Sequence, residues 1–407
     1  MGFFKSFSSK PPGRNEFAAL VSKGLSEAGV RFERYDEATF SLHRADGFHL
    51  NLHNGYSRFC AADKSKRQAV LDDFVSASVA LLTTPKIPDD FEAIKPIILP
   101  AVRSASFVSL TALNSRSSEK GDMGRRMATQ PLANGLVVCL AIDGARTISF
   151  VNEDSLSKWQ MEFGEVLKIA IDNLRDKTDP RRMVQKAPGL FIGQWADTYE
   201  ASRLLLTDLM HRLPLDGDPV AFAPSREQLW VTGSRNNRAI EEMLKFGQQE
   251  HFGAYPLSPH LYVLQDQQWA SFEPEPAALR EGLRLLVLRR NATDYGQQKG
   301  YLEAIHKMEN VDVFVSPCQV PKDSATGRPY SICVWPKGAE TLLPNTERIA
   351  LLMDVATKES LDVSWTTMQS VVGKHLEKVA DLFPERYRVR SFPTEEEIAT
   401  LRSASII

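Results

Sequence analysis

Two segments of this 407-residue chain align with each other without a gap, PLANGLVVCLAID (Pro131–Asp143) against LLPNTERIALLMD (Leu342–Asp354). Each carries an apolar run that ends on aspartate. Upstream, Phe107-Val108-Ser109 matches Phe314-Val315-Ser316; downstream, Ser155-Leu156 and Trp159 match Ser360-Leu361 and Trp365. Four matches in one order predict a duplicated strand–strand–helix module, and Pro224–Leu229 reads as a weaker third echo. A chain that reuses such a unit is expected to be α+β: several small mixed or antiparallel sheets, each covered by helices.

Length also argues for more than one core. Phe17, Leu20, Val21 and Leu25 recur at helical spacing, and Gly29 ends the run. Phe40 and Leu42, then Phe48, Leu50 and Leu52, alternate on either side of Arg44-Ala45-Asp46-Gly47, which supplies turn chemistry. A helix follows from about Lys64 to Leu82. Residues 15–100 thus read as a helix–hairpin–helix module after a 1–14 tail. Pro85, Pro88, Pro96 and Pro100 punctuate the link to a central α+β domain, 101–275, in which Phe107–Leu113 reads as a strand and Asn114–Gln130 as a polar loop. Leu136–Ile142 is continuous apolar sequence, as an inner strand requires, and a helix is expected from Thr198 to about Leu213. Glu273-Pro274-Glu275-Pro276 reads as a linker to a C-terminal module, 283–407, related to the central domain.

Hydrophobic residues make up 43% of the chain, enough to build these cores. Its 49 basic and 51 acidic residues nearly cancel, so no global field draws a phosphate backbone and no nucleic-acid partner is expected. No apolar stretch approaches bilayer length, and a membrane partner is not expected. The start, MGFFKSFSSKPPG, does fit the loose myristoylation pattern, with Phe3, Phe4 and Phe7 beside Lys5 and Lys10. Cys60, Cys139, Cys318 and Cys333 form no CxxC pair. Cys139 reads as a small core residue; Cys318 and Cys333 lie on neighbouring strand-like segments, where either a disulfide or two packed thiols would fit. A cytoplasmic location is the expectation.

The polar candidates are few. His49, Asn51 and His53 alternate with apolar residues and would share one strand face; histidines four apart on a strand are about 13 Å apart, too far to share a metal. His43 could approach His49 across the hairpin. Asp143 ends an inner strand, where a carboxylate serves either catalysis or a turn. Arg203 lies on the helix after a strand and is expected to pair with Glu200 on the surface. Arg226 follows Ser225 in a polar loop, while Ser234, Asn236 or Asn237 would cap the next helix. Arg125, Arg126, Arg175, Lys177, Arg181, Arg182 and Lys186 are interleaved with Asp172, Asp176 and Asp179 and read as a mixed-charge surface. Nucleotide-loop, zinc-protease and nucleophile-elbow motifs are missing from the sequence, and no cofactor or metal is expected.

LNLHNGY (Leu50–Tyr56), LVVCLAIDGARTISFVNEDSLSKW (Leu136–Trp159) with AIDNL (Ala170–Leu174), and ADTYEASRLLL (Ala196–Leu206) with GDPVAFAPSREQLWVTGS (Gly217–Ser234) resemble the YtpQ-like family of bacterial proteins of unknown function. The resemblance spans about Asn15 to Phe272, and the module from Leu283 to Ile407 lies outside it. It implies an α+β fold in a bacterial cytoplasm and no activity. The reading is therefore a non-enzymatic protein-interaction, adaptor or immunity-type protein that binds another protein, with Trp195, Tyr199, Trp269 and Trp335 as candidate anchors. The alternative is a hydrolase with Asp143, His49 or Arg203 near a cleft between modules.

Overall fold

The computed structural model describes residues 11–45, 48–83, 88–117, 126–144, 148–250 and 255–404. The aromatic tail, Asp46-Gly47 of the turn, Pro85 and Arg125 lie outside them. The chain forms two compact units, one made of 1–104 with 118–280, the other of 105–117 with 281–407. Both mix helices with small antiparallel or mixed sheets, so the fold is α+β.

The first unit opens with helix α1 (Arg14–Glu27) and a three-stranded antiparallel sheet, β1 (Arg34–Asp36), β2 (Ser41–His43) and β3 (His49–Asn51). Helices α2 (His53–Ala61) and α3 (Arg67–Thr83) follow. Phe17, Val21 and Leu25 of α1 meet Phe40, Leu42, Leu50 and Leu52 in a core that includes Phe59 and Leu71. His53 starts α2 instead of continuing the strand, because β3 ends at Asn51, whose side chain accepts from the His53 backbone N–H at 2.9 Å. The expected single face of His49, Asn51 and His53 is therefore broken.

A short helix α4 (Phe91–Ile94) leads into β4 (Ile98–Ser104), buried along its whole length. The strand was hidden in the sequence by Pro96 and Pro100. Pro100 is tolerated because β4 is an edge strand: the N–H of Val102, two residues on and so on the same edge, leaves the ladder to donate to Ser202 Oγ at 3.1 Å. The chain then supplies α5 (Ala105–Arg116) to the second unit. This corrects the strand expected at Phe107–Leu113: Leu110 and Leu113 pack at helical spacing with Tyr301, Leu302 and Ile305, and a short apolar run does not by itself distinguish the two periods.

Back in the first unit, β5 (Thr129–Ala133), β6 (Leu136–Asp143) and β7 (Ile148–Phe150) complete an antiparallel sheet with β6 at its centre. Helices α6 (Glu153–Trp159) and α7 (Phe163–Asp176) bury the face carrying Ile98, Leu140 and Ile142. A six-stranded antiparallel sheet is built from β8 (Met183–Ala187), β9 (Leu190–Gly193), β10 (Pro219–Phe222), β11 (Trp230–Gly233), β12 (Leu261–Gln265) and β13 (Gln268–Phe272), in the order β13-β12-β10-β11-β9-β8. The helix expected from Thr198 to Leu213 is a 3-10 turn, Glu200–Leu205, followed by α8 (Thr207–His211). α9 (Asn237–Glu250) is capped by Asn236, whose Oδ1 accepts from the Ala239 N–H at 3.1 Å.

The second unit is organised on α10 (Ala277–Glu309), a 33-residue helix that the sequence reading did not assign. Its strands are β14 (Phe314–Val315), β15 (Ile332–Pro336), β16 (Thr341–Pro344), β17 (Arg348–Asp354) and β18 (Glu359–Ser364), then α11 (Trp365–Val372), β19 (Glu377–Lys378), β20 (Arg386–Val389) and α12 (Glu395–Ala404). They form two sheets, β14-β16-β20-β19 and β15-β17-β18. β6–β7–α6 and β17–β18–α11 share the order of antiparallel hairpin then helix, but β6 takes antiparallel β4 as its next neighbour where β17 takes parallel β15. Phe107-Val108-Ser109 is helical and Phe314-Val315 is a strand, so that part of the alignment joins unlike elements.

Candidate functional site

Alternate residues of a strand share a face. On the sheet face opposite α6 and α7, this places Leu99, Ala101 and Arg103 of β4 beside Ala141, Cys139 and Val137 of β6. Ala101, Cys139 and Ala141 are small, and the Arg103 guanidinium lies above this low surface. Its Cζ is 5.3 Å from the centre of the Phe150 ring, which pairs with Ala141 from β7. Arg103 is only 5% exposed. Its Nη1 donates to the Val102 carbonyl at 2.8 Å, while its Nη2 has no hydrogen-bond partner.

Arg226 brings a second guanidinium. Its Cζ sits 3.5 Å from the centre of the Tyr255 ring; Nη2 lies 3.5 Å from Glu227, and Nε is buried without a partner. Burial first, and then the neighbouring Arg226 charge, bring the Arg103 pKa down to about 10, so Arg103 remains cationic at neutral pH. Burial likewise raises the Cys139 thiol to about 12 and keeps it neutral.

Tyr199 completes the group. It is 2% exposed, and its hydroxyl makes no hydrogen bond of acceptable geometry. Burial, followed by the nearby Asp143 carboxylate, raises its pKa, with Arg103 and Arg226 opposing, so the hydroxyl stays protonated and can donate. Asp143 therefore faces this cluster, whereas its sequence counterpart Asp354 accepts from the N–H groups of Ala356 and Thr357 at 2.7 and 3.1 Å in a turn.

The loop that presents Tyr199 is strained and heavily braced. Ala196 and the β-branched Thr198 both adopt left-handed backbone, at φ of 55° and 66°. Asp197 between them accepts from the Tyr199 N–H at 2.9 Å and from both terminal nitrogens of Arg203, at 3.0 and 2.7 Å. Burial would raise the Asp197 pKa, but the bonds from Arg203 outweigh it and hold the carboxyl below its usual range. Arg203 is 0% exposed, donates through Nε to Thr178 Oγ1 at 3.1 Å, and has its Cζ 4.1 Å from the Trp195 ring centre. Gly193 admits this stack, since a Cβ there would come within 2.6 Å of the indole. The surface Glu200–Arg203 pair expected from sequence is thus replaced: both residues are buried, and Arg203 binds Asp197 because its fork reaches a two-oxygen acceptor six residues back.

Two further buried arginines show what structural satisfaction looks like in this molecule. Every nitrogen of Arg203 is bonded as described. Arg386, also 0% exposed, donates to Gln298 Oε1 and to the carbonyls of Ser316, Leu342 and Tyr295. Arg103 differs in having a terminal nitrogen to spare.

Among the sequence candidates, Asp143 and Arg226 both act electrostatically on Tyr199, Arg203 braces the Tyr199 loop through Asp197, and His49 belongs to the separate β1–β3 sheet, its ring stacked on His43 at 5.5 Å. Arg103 was missed; the available signal was a lone arginine in the apolar run Ile98–Ser104. Tyr199, Trp269 and Trp335 are buried, which removes them as exposed anchors, and Trp195 is partly buried. All four cysteines are free thiols. Among the described residues no group of His, Cys, Asp and Glu could hold a metal ion, and no helix is long and apolar enough to cross a membrane. No family model, curated protein or solved structure matches the chain.

Proposed function

We propose that this chain is a binding protein that recognises an anionic group on its partner through Arg103, Arg226 and the Tyr199 hydroxyl. The observation that carries this reading is the buried, unpartnered Nη2 of Arg103 beside a second guanidinium. An unpaired buried donor is costly, and two like charges brought together in a poorly solvated place cost more, so such a pair is expected where an anion completes it. Each guanidinium carbon lies over an aromatic ring, 5.3 Å from the Phe150 centre for Arg103 and 3.5 Å from the Tyr255 centre for Arg226, and an aromatic face takes no N–H group away from an oxyanion in the plane of the guanidinium. A protonated Tyr199 is a donor and not a nucleophile, and His49 lies in another sheet; both favour recognition over hydrolysis. Such a site suits an adaptor or immunity-type protein, with another protein presenting the anion. Membership of the YtpQ-like family, carried by the segments quoted above, belongs to the same proposal, as does a cytoplasmic site of action, which the free thiols favour.

Titrating the full chain with acetate, dimethyl phosphate, inorganic phosphate and sulfate, followed by protein NMR, tests this. At least one anion is expected to bind one-to-one, and Arg103→Met or Arg226→Met to weaken it by about tenfold or more, roughly 1.4 kcal/mol. Arg103→Met is expected to melt close to the wild-type Tm, because relief of an orphaned buried charge offsets the bond that the Val102 carbonyl loses. Absence of binding by every anion, or a clear fall in Tm on Arg103→Met, makes Arg103 a structural residue and ends the proposal.

A further inference from the structure

A serine hydroxyl becomes a useful nucleophile where a base takes its proton, and the second unit sets such a base beside an exposed serine. His375 ends the 3-10 turn Gly373–His375 that follows α11, and Ser391 lies just past β20. His375 Nδ1 is 3.0 Å from Ser391 Oγ, while Nε2 is 3.3 Å from each carboxylate oxygen of Glu397 on α12. A carboxylate only accepts, so Nε2 carries the ring proton and Nδ1 is left to accept from the Ser391 hydroxyl. Glu397 is itself held in place: Oε2 accepts from the Thr394 N–H at 2.9 Å, and Lys374 Nζ lies 2.8 Å from Oε1. The bond from Lys374, then those from Thr394 and His375, outweigh burial and bring its pKa down to about 2, so it stays ionised. The capping box that Thr394 and Glu397 make at the start of α12 accounts for the glutamate but makes no use of His375 or Ser391. The His375 and Glu397 side chains are 17% and 13% exposed, whereas Ser391 is open to solvent. Phe392, edge-on to Trp335 at 5.8 Å, and the buried Pro393 anchor the chain directly after it.

We propose that Ser391, His375 and Glu397 form a nucleophilic triad that cleaves small carboxylic esters, an activity independent of the anion recognition assigned to the first unit. Such a triad is defined by geometry and roles, and either ring nitrogen can act as base once the other carries the proton. Ser391 Oγ forms a bond to the ester carbonyl carbon as its proton passes to His375 Nδ1, and the imidazolium so formed faces Glu397. The bond from that carbon to the alkoxy oxygen then breaks, and the leaving alcohol takes the proton from Nδ1. Water, deprotonated by the same nitrogen, attacks acyl-Ser391 and releases the carboxylic acid, which restores the serine. Ser391 and His375 are the catalytic residues; Glu397 is a positioning residue that fixes the tautomer. The chain order His375, Ser391, Glu397 matches no local motif, which is why the sequence did not reveal it.

Two probes of the full chain test this: an alkyl fluorophosphonate, read by mass spectrometry, and p-nitrophenyl acetate, read by nitrophenol release. One phosphonyl group is expected to add, on Ser391. Nitrophenol release is expected to run about a hundredfold faster than in Ser391→Ala, the scale of general-base assistance, and His375→Gln is expected to fall to the same level. Circular dichroism and Tm establish that the variants fold; a His375→Gln chain that does not is replaced by His375→Asn, scored in the same way. In Glu397→Gln the rate is expected to fall at least about tenfold, with the ring-nitrogen shifts of His375 passing from a single Nε2–H tautomer to a mixture. A role for Glu397 confined to capping α12 would leave both the rate and those shifts unchanged, and that result removes it from the triad. Labelling confined to other residues, or a folded Ser391→Ala chain as fast as the wild type, overturns the proposal.

Discussion

A polar side chain in this molecule takes its role from the number of its bonding groups that its surroundings satisfy. Every guanidinium nitrogen of Arg203 and Arg386 has a partner, and Arg103 Nη2 has none, though all three side chains are buried. His53 shows the same logic for a base. It begins α2 with its ring edge-on to Phe40 at 5.1 Å and Nδ1 2.9 Å from Asn51 Oδ1. Since that amide oxygen only accepts, Nδ1 carries the proton. Burial first, then the Arg14 charge, bring its pKa from 6.5 to about 4. The unfolded chain therefore takes up a proton below pH 6.5 that the folded chain refuses. The stability present above pH 6.5 is lost as pH falls toward 4, by up to about 1.4 kcal/mol per unit of the shift. Urea midpoints of the wild-type chain and His53→Gln, measured between pH 7.5 and 4.5, are expected to diverge over that window, the wild type losing more. Parallel curves would mean that the imidazole is solvated in the folded chain.

At the scale of elements, short segments depart furthest from their sequence pattern where a neighbour offers better partners. The strand expected at Phe107–Leu113 is helix α5 because its apolar side chains have a helical groove to fill. The helix expected from Thr198 breaks into Glu200–Leu205 and α8 because the preceding loop is tied to Arg203, Trp195 and Asp197. Left-handed backbone at a β-branched residue costs about 1–3 kcal/mol. Thr198→Gly is thus expected to raise stability by about 1 kcal/mol, after the greater backbone entropy lost by glycine is subtracted. At the same time it should weaken anion binding, since the Tyr199 loop would hold its shape less firmly. Thermal melts and the acetate titration read these two effects separately. A fall in Tm would show that Thr198 makes contacts worth more than the strain.

At the scale of the whole molecule, sequence order and structural unit do not coincide. Ala105–Ser117 is folded into the second unit: Leu113 packs beside Tyr301, Leu302 and Ile305, Ser106 Oγ donates to the buried Asp294 at 2.6 Å, and Ser109 Oγ donates to the Asp381 carbonyl at 3.0 Å. Removing Leu283–Ile407 leaves this helix without those partners, exposing Leu113 at a cost of about 1.5–3 kcal/mol. Limited proteolysis with mass-spectrometric mapping is expected to cut within 105–117 in the truncated chain and to spare it in the full one. Equal protection in both would mean that α5 is held by the remainder.

Long periodic segments were legible in the sequence, since burying an apolar stripe needs only the right period: α1, α3 and the inner strand β6 all lie where the pattern places them. The cross-strand approach of His43 and His49 was legible too, as a consequence of hairpin register. The 33-residue α10 and the proline-bearing β4 were not. One has its apolar positions spread around the helix, and the other depends on an edge that local sequence does not reveal. The site divides in the same way. Asp143 and Arg226 could be named from strand ends and loops, but their grouping with Arg103 and Tyr199 joins positions 27 to 123 residues apart. Local sequence determined which segments could be helix or strand, because period and turn chemistry act over a few residues. Only the tertiary structure decided which arginine is left with an empty donor, because satisfaction of a buried charge depends on partners contributed by distant strands.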